Sequence, residues 1–284
     1  SLEGKMLMSA FAAAAVAALT SSAFAGLMVA IGVSVLLGLL HGLASITLRG
    51  NQVISGLAIN ILASGLTVTI GIAMFQQGGQ TPNLARAERF RPIELPLAEQ
   101  IGSLPLIGPM YGEVISGHNI LVWVALTAVL FTAFILTRTR FGLRLRAVGE
   151  KPEALDSAGV SVARTRYMAL IIAGVLCGMA GAYLSTAHGS GFVREMTAGK
   201  GYIALAAMIF GKWQPRGALL ACLLFGFLEA VASRLQGVDV PLIGGAPVDL
   251  ILALPYLLTV ILLAGFVGKA MPPRAIGEPY VKER

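Results

Sequence analysis

The chain has 284 residues, of which 56% are hydrophobic and only 12% charged, and its mean hydropathy is +0.81. A soluble domain carries about 45–50% apolar and about 25% charged residues, so these proportions exclude a sizeable water-exposed domain and describe a membrane protein. The net charge of +7 and the pI near 9.7 do not point to nucleic acid, because the basic residues sit in short links between apolar runs, where they set orientation.

Apolar runs occupy residues 6–24, 26–44, 53–75, 119–137, 168–187, 202–211, 218–233 and 250–267. Most match the roughly 17–25 residues that cross a hydrocarbon core. They predict an all-α, polytopic transmembrane helical bundle of about eight spans, a single membrane domain over 1–284. A further span is expected upstream, because the chain enters its first apolar run almost at once from Ser1.

The third run carries Asn60, Ser64, Thr67 and Thr69. Asn60, Ser64 and Thr67 stand at i, i+4 and i+7 and share one helix face, the pattern expected of a polar path through a membrane. Interhelical hydrogen bonding is the competing role for the same residues. Gly56, Gly65 and Gly71 in this run, and Gly174, Gly178 and Gly181 in the fifth, are expected to let helices approach closely. Residues 76–118, with Pro82, Pro92, Pro96, Pro105 and Pro109 among mixed charges, predict an irregular external loop that contains at most a short surface helix.

Residues 138–167 hold Arg138, Arg140, Arg144, Arg146, Lys151, Arg164 and Arg166, the densest basic link, and are expected in the cytoplasm. Alternation then places 76–118, 188–201 and 234–249 outside, with 212–217 and the tail 268–284 inside, provided that the short run 202–211 crosses the membrane. Within the basic link, Gly149 is expected to end the helix that enters from the membrane. Pro152 suits a first helical position, Glu153 favours the helix N-terminus and Gly159 supplies a stop. The result is a helix of less than two turns, too short to persist in water unless it leans on its own membrane domain or on a partner.

Other candidates are sparse. Cys177 and Cys222 lie singly in apolar runs, without the spacing of a metal site, and His41, His118 and His188 fall near span ends, where an interfacial role is expected. Glu229 interrupts an apolar run and is a candidate gate or cavity residue, against which stand its place near the outer boundary and a pairing with Arg234. Pro255-Tyr256 should kink the last span. No phosphate loop, zinc-protease motif or Ser/His/Asp set is present, so no catalytic residue is assigned.

The stretch Arg146-Ala-Val-Gly-Glu-Lys-Pro-Glu-Ala-Leu-Asp-Ser-Ala-Gly-Val160 resembles the cytoplasmic coupling motif of bacterial ABC-importer permeases, in the branch that moves simple sugars, nucleosides and branched-chain amino acids. Four further blocks resemble the nucleoside and simple-sugar part of that branch: Leu2-Glu-Gly-Lys-Met-Leu7, Asn51 to Asn60, Met196 to Ala206, and Phe210-Gly-Lys-Trp-Gln-Pro215. The resemblance implies a membrane subunit that hydrolyses nothing, with ATP and Mg²⁺ bound by a partner ATPase and no cofactor on this chain. It implies that Gly149, Glu150, Lys151, Pro152, Glu153, Ala154, Leu155, Asp156, Ala158 and Gly159 engage that ATPase.

Two residues depart from the motif: Lys151 stands where Asn is more usual, and Leu155 replaces the second Ala of an Ala-Ala pair, so an enlarged apolar contact with the ATPase is expected. The implied setting is the bacterial inner membrane, in a lipid bilayer, with a second, related but different permease subunit and an external solute-binding protein or lipoprotein that delivers a nucleoside or simple sugar. An ion-gradient-driven secondary transporter or channel is the alternative, and it would place ionisable residues deep in several spans.

Overall fold

The structure is a computed structural model that describes residues 1–93, 116–235 and 271–282, together with 239–240, 244–245, 253 and 257. Among these residues six helices are long and apolar enough to cross a membrane, and a seventh, shorter apolar helix joins them. They are α1 (Leu2–Thr20), α2 (Ala23–Gly42, continued by a π turn over Leu43–Thr47), α3 (Gln52–Phe75) and α4 (Ile120–Arg138). The amphipathic α5 (Arg140–Glu150) and the short α6 (Pro152–Ser157) follow. The chain then forms α7 (Val162–Tyr183, continued by a π turn over Leu184–His188), the short apolar α8 (Lys200–Phe210) and α9 (Pro215–Leu235). The eighth expected run, 250–267, and Pro255-Tyr256 lie outside the described residues, so the described spans are six where about eight were expected.

Polar residues start most of these helices, each satisfying backbone N–H groups that the first turn leaves without partners. Asn51 Oδ1 accepts from the N–H groups of Val53 and Ile54 at 2.8 and 3.3 Å, and Asn119 Oδ1 does the same for Leu121 and Val122 at 3.1 and 3.3 Å. Ser22, Thr139 and Ser161 cap α2, α5 and α7 in the same way.

The first helix is the hub. Two thirds of its apolar window is buried, more than for any other described span, and α2, α3 and α7 pack around it. Its run of Ala and Ser explains this position, since small side chains let neighbouring backbones come close when water no longer drives association. Gly181 on α7 shows how close: an added Cβ would lie 2.5 Å from the Met6 carbonyl oxygen of α1. Gly174 and Gly178 meet α2 at Val35 and Ile31 as expected, whereas Gly65 faces open space and packs nothing.

The first part of the expected external loop is tied down. Thr81 N–H donates to the Phe192 carbonyl at 3.1 Å and Phe192 N–H to Thr81 Oγ1 at 2.8 Å, while Leu84 and Phe90 pair with Ser190 and Thr186. Phe192 is completely buried, with its ring edge-on to Phe11 of α1 at 5.2 Å. Arg86–Glu88 form one turn of 3₁₀ helix, and β1 (Pro92–Ile93) pairs antiparallel with β2 (His118–Asn119), joining Pro92 to Asn119 and Ile93 to His118. A second small antiparallel pair joins β3 (Asp239–Val240) to β4 (Gly244–Gly245).

Candidate functional site

Two places gather the residues singled out above. The first is the link between α4 and α7. Gly149 does not end the helix that leaves the membrane domain: α4 stops at Arg138, Thr139 adopts an extended conformation, and α5 begins as a separate helix in whose last turn Gly149 lies. Gly142 permits the sharp turn, because an added Cβ there would strike the Ile135 carbonyl at 2.0 Å. The remaining punctuation is as expected, with Pro152 in the first turn of α6 and Gly159 beyond its end at φ +77°.

This six-residue helix leans on its own chain. Leu155 is 5% exposed and packs with Val148 of α5 and Val162 of α7, flanked by Leu145, Val160 and Tyr280. The enlarged apolar contact expected between Leu155 and an ATPase is therefore not on offer, since the Leu155 side chain anchors α6 from beneath. Pro152 is buried beside it. Glu150, Lys151, Glu153, Ala154, Ala158 and Gly159 are exposed and Asp156 is half-buried, which leaves a face with small residues at its centre and charge around them.

The second place is a cavity of about 580 Å³ between α1, α3 and α8, lined by Glu3, Asn60, Ser64, Glu195 and Tyr202 among others. Asn60 Oδ1 accepts from Gly4 N–H at 2.9 Å and its Nδ2 donates to the Tyr202 hydroxyl at 2.8 Å, so one amide joins all three helices. Ser64 Oγ, one turn on, donates to Glu195 Oε1 at 2.5 Å. The Glu3 carboxylate accepts from Gly199 and Gly201 N–H at 2.9 and 2.6 Å, so α1 supplies the negative charge that the positive N-terminus of α8 favours.

Thr67 is not part of this wall. It is 1% exposed, its hydroxyl donates to the Ser64 carbonyl at 3.1 Å, and one turn farther Gly71 stands against the Phe11 ring of α1, which covers this end of the face. Thr69 is exposed, its hydroxyl bonded within α3. Glu229 does not line the cavity either: it forms an ion pair with Lys200 at the start of α8, not with Arg234. Its charge is thus matched across α8 and α9.

The three histidines play local roles. His41 Nδ1 lies 3.0 Å from Ser55 Oγ, His188 stacks on Tyr183, and His118 belongs to β2. Cys177 is buried against the start of α1, and Cys222 is exposed on α9.

Reading residues by their place in apolar runs missed Glu3, Lys5, Glu195 and Tyr202. Glu3 and Lys5 were visible as charges beside the first run, and Lys5 proves to be 2% exposed. An ionisable residue inside a membrane domain is by itself a pointer to function, and that signal was available. Glu195 carried no such signal, because its link reads as an ordinary polar loop. Only the return of residues 195–199 to α3 brings its carboxylate to Ser64.

A bundle of apolar spans packed on α1, with a polar cavity between α1, α3 and α8 and a short anchored helix with an open charged face, has the make-up of a multi-pass membrane permease. The chain belongs to the family described as branched-chain amino acid transport system permease component, whose sequence profile matches residues 1–263. It is a transport subunit, and in this family ATP hydrolysis lies on separate subunits.

The chain is 37% identical over 256 residues to the guanosine ABC transporter permease NupQ of Bacillus subtilis (strain 168), covering 90% of this chain and 77% of that protein. It is 35% identical over 294 residues to the nucleoside ABC transporter permease NupC of Lactococcus lactis subsp. cremoris, covering 100% and 87%. It is also 35% identical over 246 residues to a putative glucose ABC transporter permease, TsgC13, of Haloferax volcanii, covering 87% and 71%. No solved structure matches it.

Proposed function

We propose that the chain is the permease half that carries a neutral, polyhydroxylated solute, a nucleoside in preference to a sugar, inward through the cavity at Asn60, Ser64, Glu195 and Tyr202. The observation that carries this reading is the lining of that cavity, which among the described residues contains two carboxylates and no lysine or arginine. Carboxylate and amide oxygens accept hydrogen bonds from sugar hydroxyls, and fixed negative charge disfavours phosphorylated solutes. Tyr202, about half exposed at the rim, offers a ring face on which a base can stack. The nucleoside preference also rests on the names of NupQ and NupC, and the putative glucose permease is why a sugar remains the alternative.

The partners follow from the same reading. Two ATPase subunits dock from the cytoplasm, one of them on the exposed face of α6 at Glu150, Lys151, Glu153, Ala154, Ala158 and Gly159. A second, related permease subunit completes the pair, and an external binding protein or lipoprotein delivers the solute. The basic residues of 138–167 and the tail face the cytoplasm of the bacterial inner membrane.

Reconstituted transporter should take up guanosine and exclude guanosine monophosphate. Glu195→Gln and Ser64→Ala should raise KM about tenfold, the weight of one hydrogen bond to a charged group. Uptake of the monophosphate at the same rate, or glucose uptake with no nucleoside uptake, would overturn the solute assignment. Unchanged uptake after Glu153→Arg and Ala158→Arg would remove α6 as the docking site, and uptake that stops with an uncoupler while ATP is maintained would favour an ion-driven carrier.

A further inference from the structure

Residues 271–282 do not trail away from the bundle. They cross the end that carries α5, α6 and the start of α7, and they touch each of these helices. Ala275 N–H donates to the Gly149 carbonyl at 2.9 Å, one of the last-turn carbonyls of α5 that lack a partner within the helix. Pro273 lies against Gly149, with 3.4 Å from its Cβ to the position a Cβ on that glycine would take. Arg166 Nη1 of α7 donates to the Glu278 carbonyl at 3.0 Å. Tyr280 packs on the cluster of Val148, Leu155 and Val162, the same cluster that holds α6 down. Lys282 Nζ stands 3.3 Å from the Asp156 carboxylate on α6. Gly277, at φ +81°, brings the strand of tail beside the Gln52 side chain, where α3 begins.

These contacts are unequal. The Lys282–Asp156 pair is mostly exposed on the lysine side and of the kind that contributes little. A carbonyl hydrogen-bonded to a half-buried guanidinium and an aromatic ring placed on an apolar cluster contribute more. The need is plain from α6 itself. At six residues it lies far below the length at which a helix holds together in water, and its only apolar anchors are Pro152 and Leu155. A helix supported from one side rocks when pushed, whereas one clamped between α5, α7 and a third segment transmits the push.

We propose that the segment 271–282 is a strap that positions α6, with Arg166 and Tyr280 as its positioning residues, so that force applied to α6 reaches α3 and α7 as well as α5. The proposal rests on the reading of α6 as the ATPase-docking helix and adds the element that keeps that helix in register with the membrane domain. The strap acts through α6.

The test uses the full transporter in lipid, with two readouts: amide hydrogen exchange over residues 152–158, and solute transported per ATP hydrolysed. A chain ending at residue 270 and the variants Arg166→Ala and Tyr280→Ala should assemble with the ATPase and keep basal hydrolysis. They should exchange roughly tenfold faster over 152–158, the weight of one charge-assisted hydrogen bond, and should transport at least fivefold less solute per ATP. Arg166→Lys, which retains one donor for the Glu278 carbonyl, should recover part of both effects; this arm also covers the case in which the shortened chain fails to fold. Unchanged exchange in Arg166→Ala and Tyr280→Ala overturns the strap. Faster exchange with full coupling overturns its role in positioning. If Glu153→Arg then also leaves coupling intact, the failure belongs to α6 as the docking helix rather than to the strap.

Discussion

Leu155 is the residue on which the position of α6 turns, and Leu155→Ala puts a number on it. The side chain is 5% exposed among Val148, Val162, Leu145, Val160 and Tyr280, at an end of the bundle that lies outside the apolar spans, so water drives its burial in the ordinary way. Truncation removes three carbons, worth about 0.8 kcal/mol each, or about 2.4 kcal/mol before any cavity is counted, and Leu-to-Ala changes in buried sites cost about 2–5 kcal/mol in all. Because α6 has too few residues to hold its own shape, this loss falls on its docking rather than on the whole fold. A cost of about 2.4 kcal/mol shifts a docking equilibrium by a factor of about 60.

Amide exchange over Glu153–Ser157 in the detergent-solubilised protein reads that factor directly, and the melting temperature should move little, since the packing of α1 with α2, α3 and the body of α7 is untouched and only Val162 at the start of α7 loses a contact. Leu155→Met, which keeps the volume, should stay within a few-fold of the parent. Exchange over Glu153–Ser157 in the Ala variant that matches the parent would refute the claim that Leu155 anchors α6. It would return that side chain to the outward-facing role that the sequence motif suggests.

Gly181→Val should destabilise the bundle by about 1–3 kcal/mol, because its side chain would press on the Met6 carbonyl and on Ser9 at the crossing of α7 with α1; thermal unfolding in detergent measures this. Asn60→Ala should cost about 1–3 kcal/mol by leaving Gly4 N–H without its acceptor, and Asn60→Asp, which keeps that acceptor but loses the donor to Tyr202, should cost less. A double-mutant cycle on Lys200 and Glu229 should return a coupling of about 0.2–1 kcal/mol, as expected for a partly exposed pair, with Lys200→Glu and Glu229→Lys combined recovering the stability that either loses alone. A cycle made instead with Arg234 should return nothing, because the carboxylate points to α8.

Seven of the eight apolar runs correspond to helices, with ends within four residues except that α7 begins six residues before its run, and the stop and start residues around α6 are where Pro152 and Gly159 mark them. These features are local: chain length in apolar residues, a fixed φ at proline and tolerance of positive φ at glycine act within a few positions. The break between α4 and α5 was less legible, since an arginine-rich stretch continues a helical pattern without interruption and only the Thr139 cap and the close turn at Gly142 separate the two. Thr67 was placed correctly on the face of Asn60 and Ser64, but a helix wheel does not say where along that face a neighbouring helix ends the cavity.

The sequence by itself determined that this chain lives in a membrane, where its described apolar helices run, and that α6 is a short helix with a proline start and a glycine stop. Tertiary structure alone decided which way Leu155 faces, which acid meets Ser64, which base meets Glu229 and where the last residues of the chain lie. Each of those is a contact between residues more than two dozen positions apart or a choice between two sides of one helix. Periodicity and hydropathy register what each side chain prefers, while the neighbour that satisfies it is set by how α1, α3, α7 and the tail are brought together.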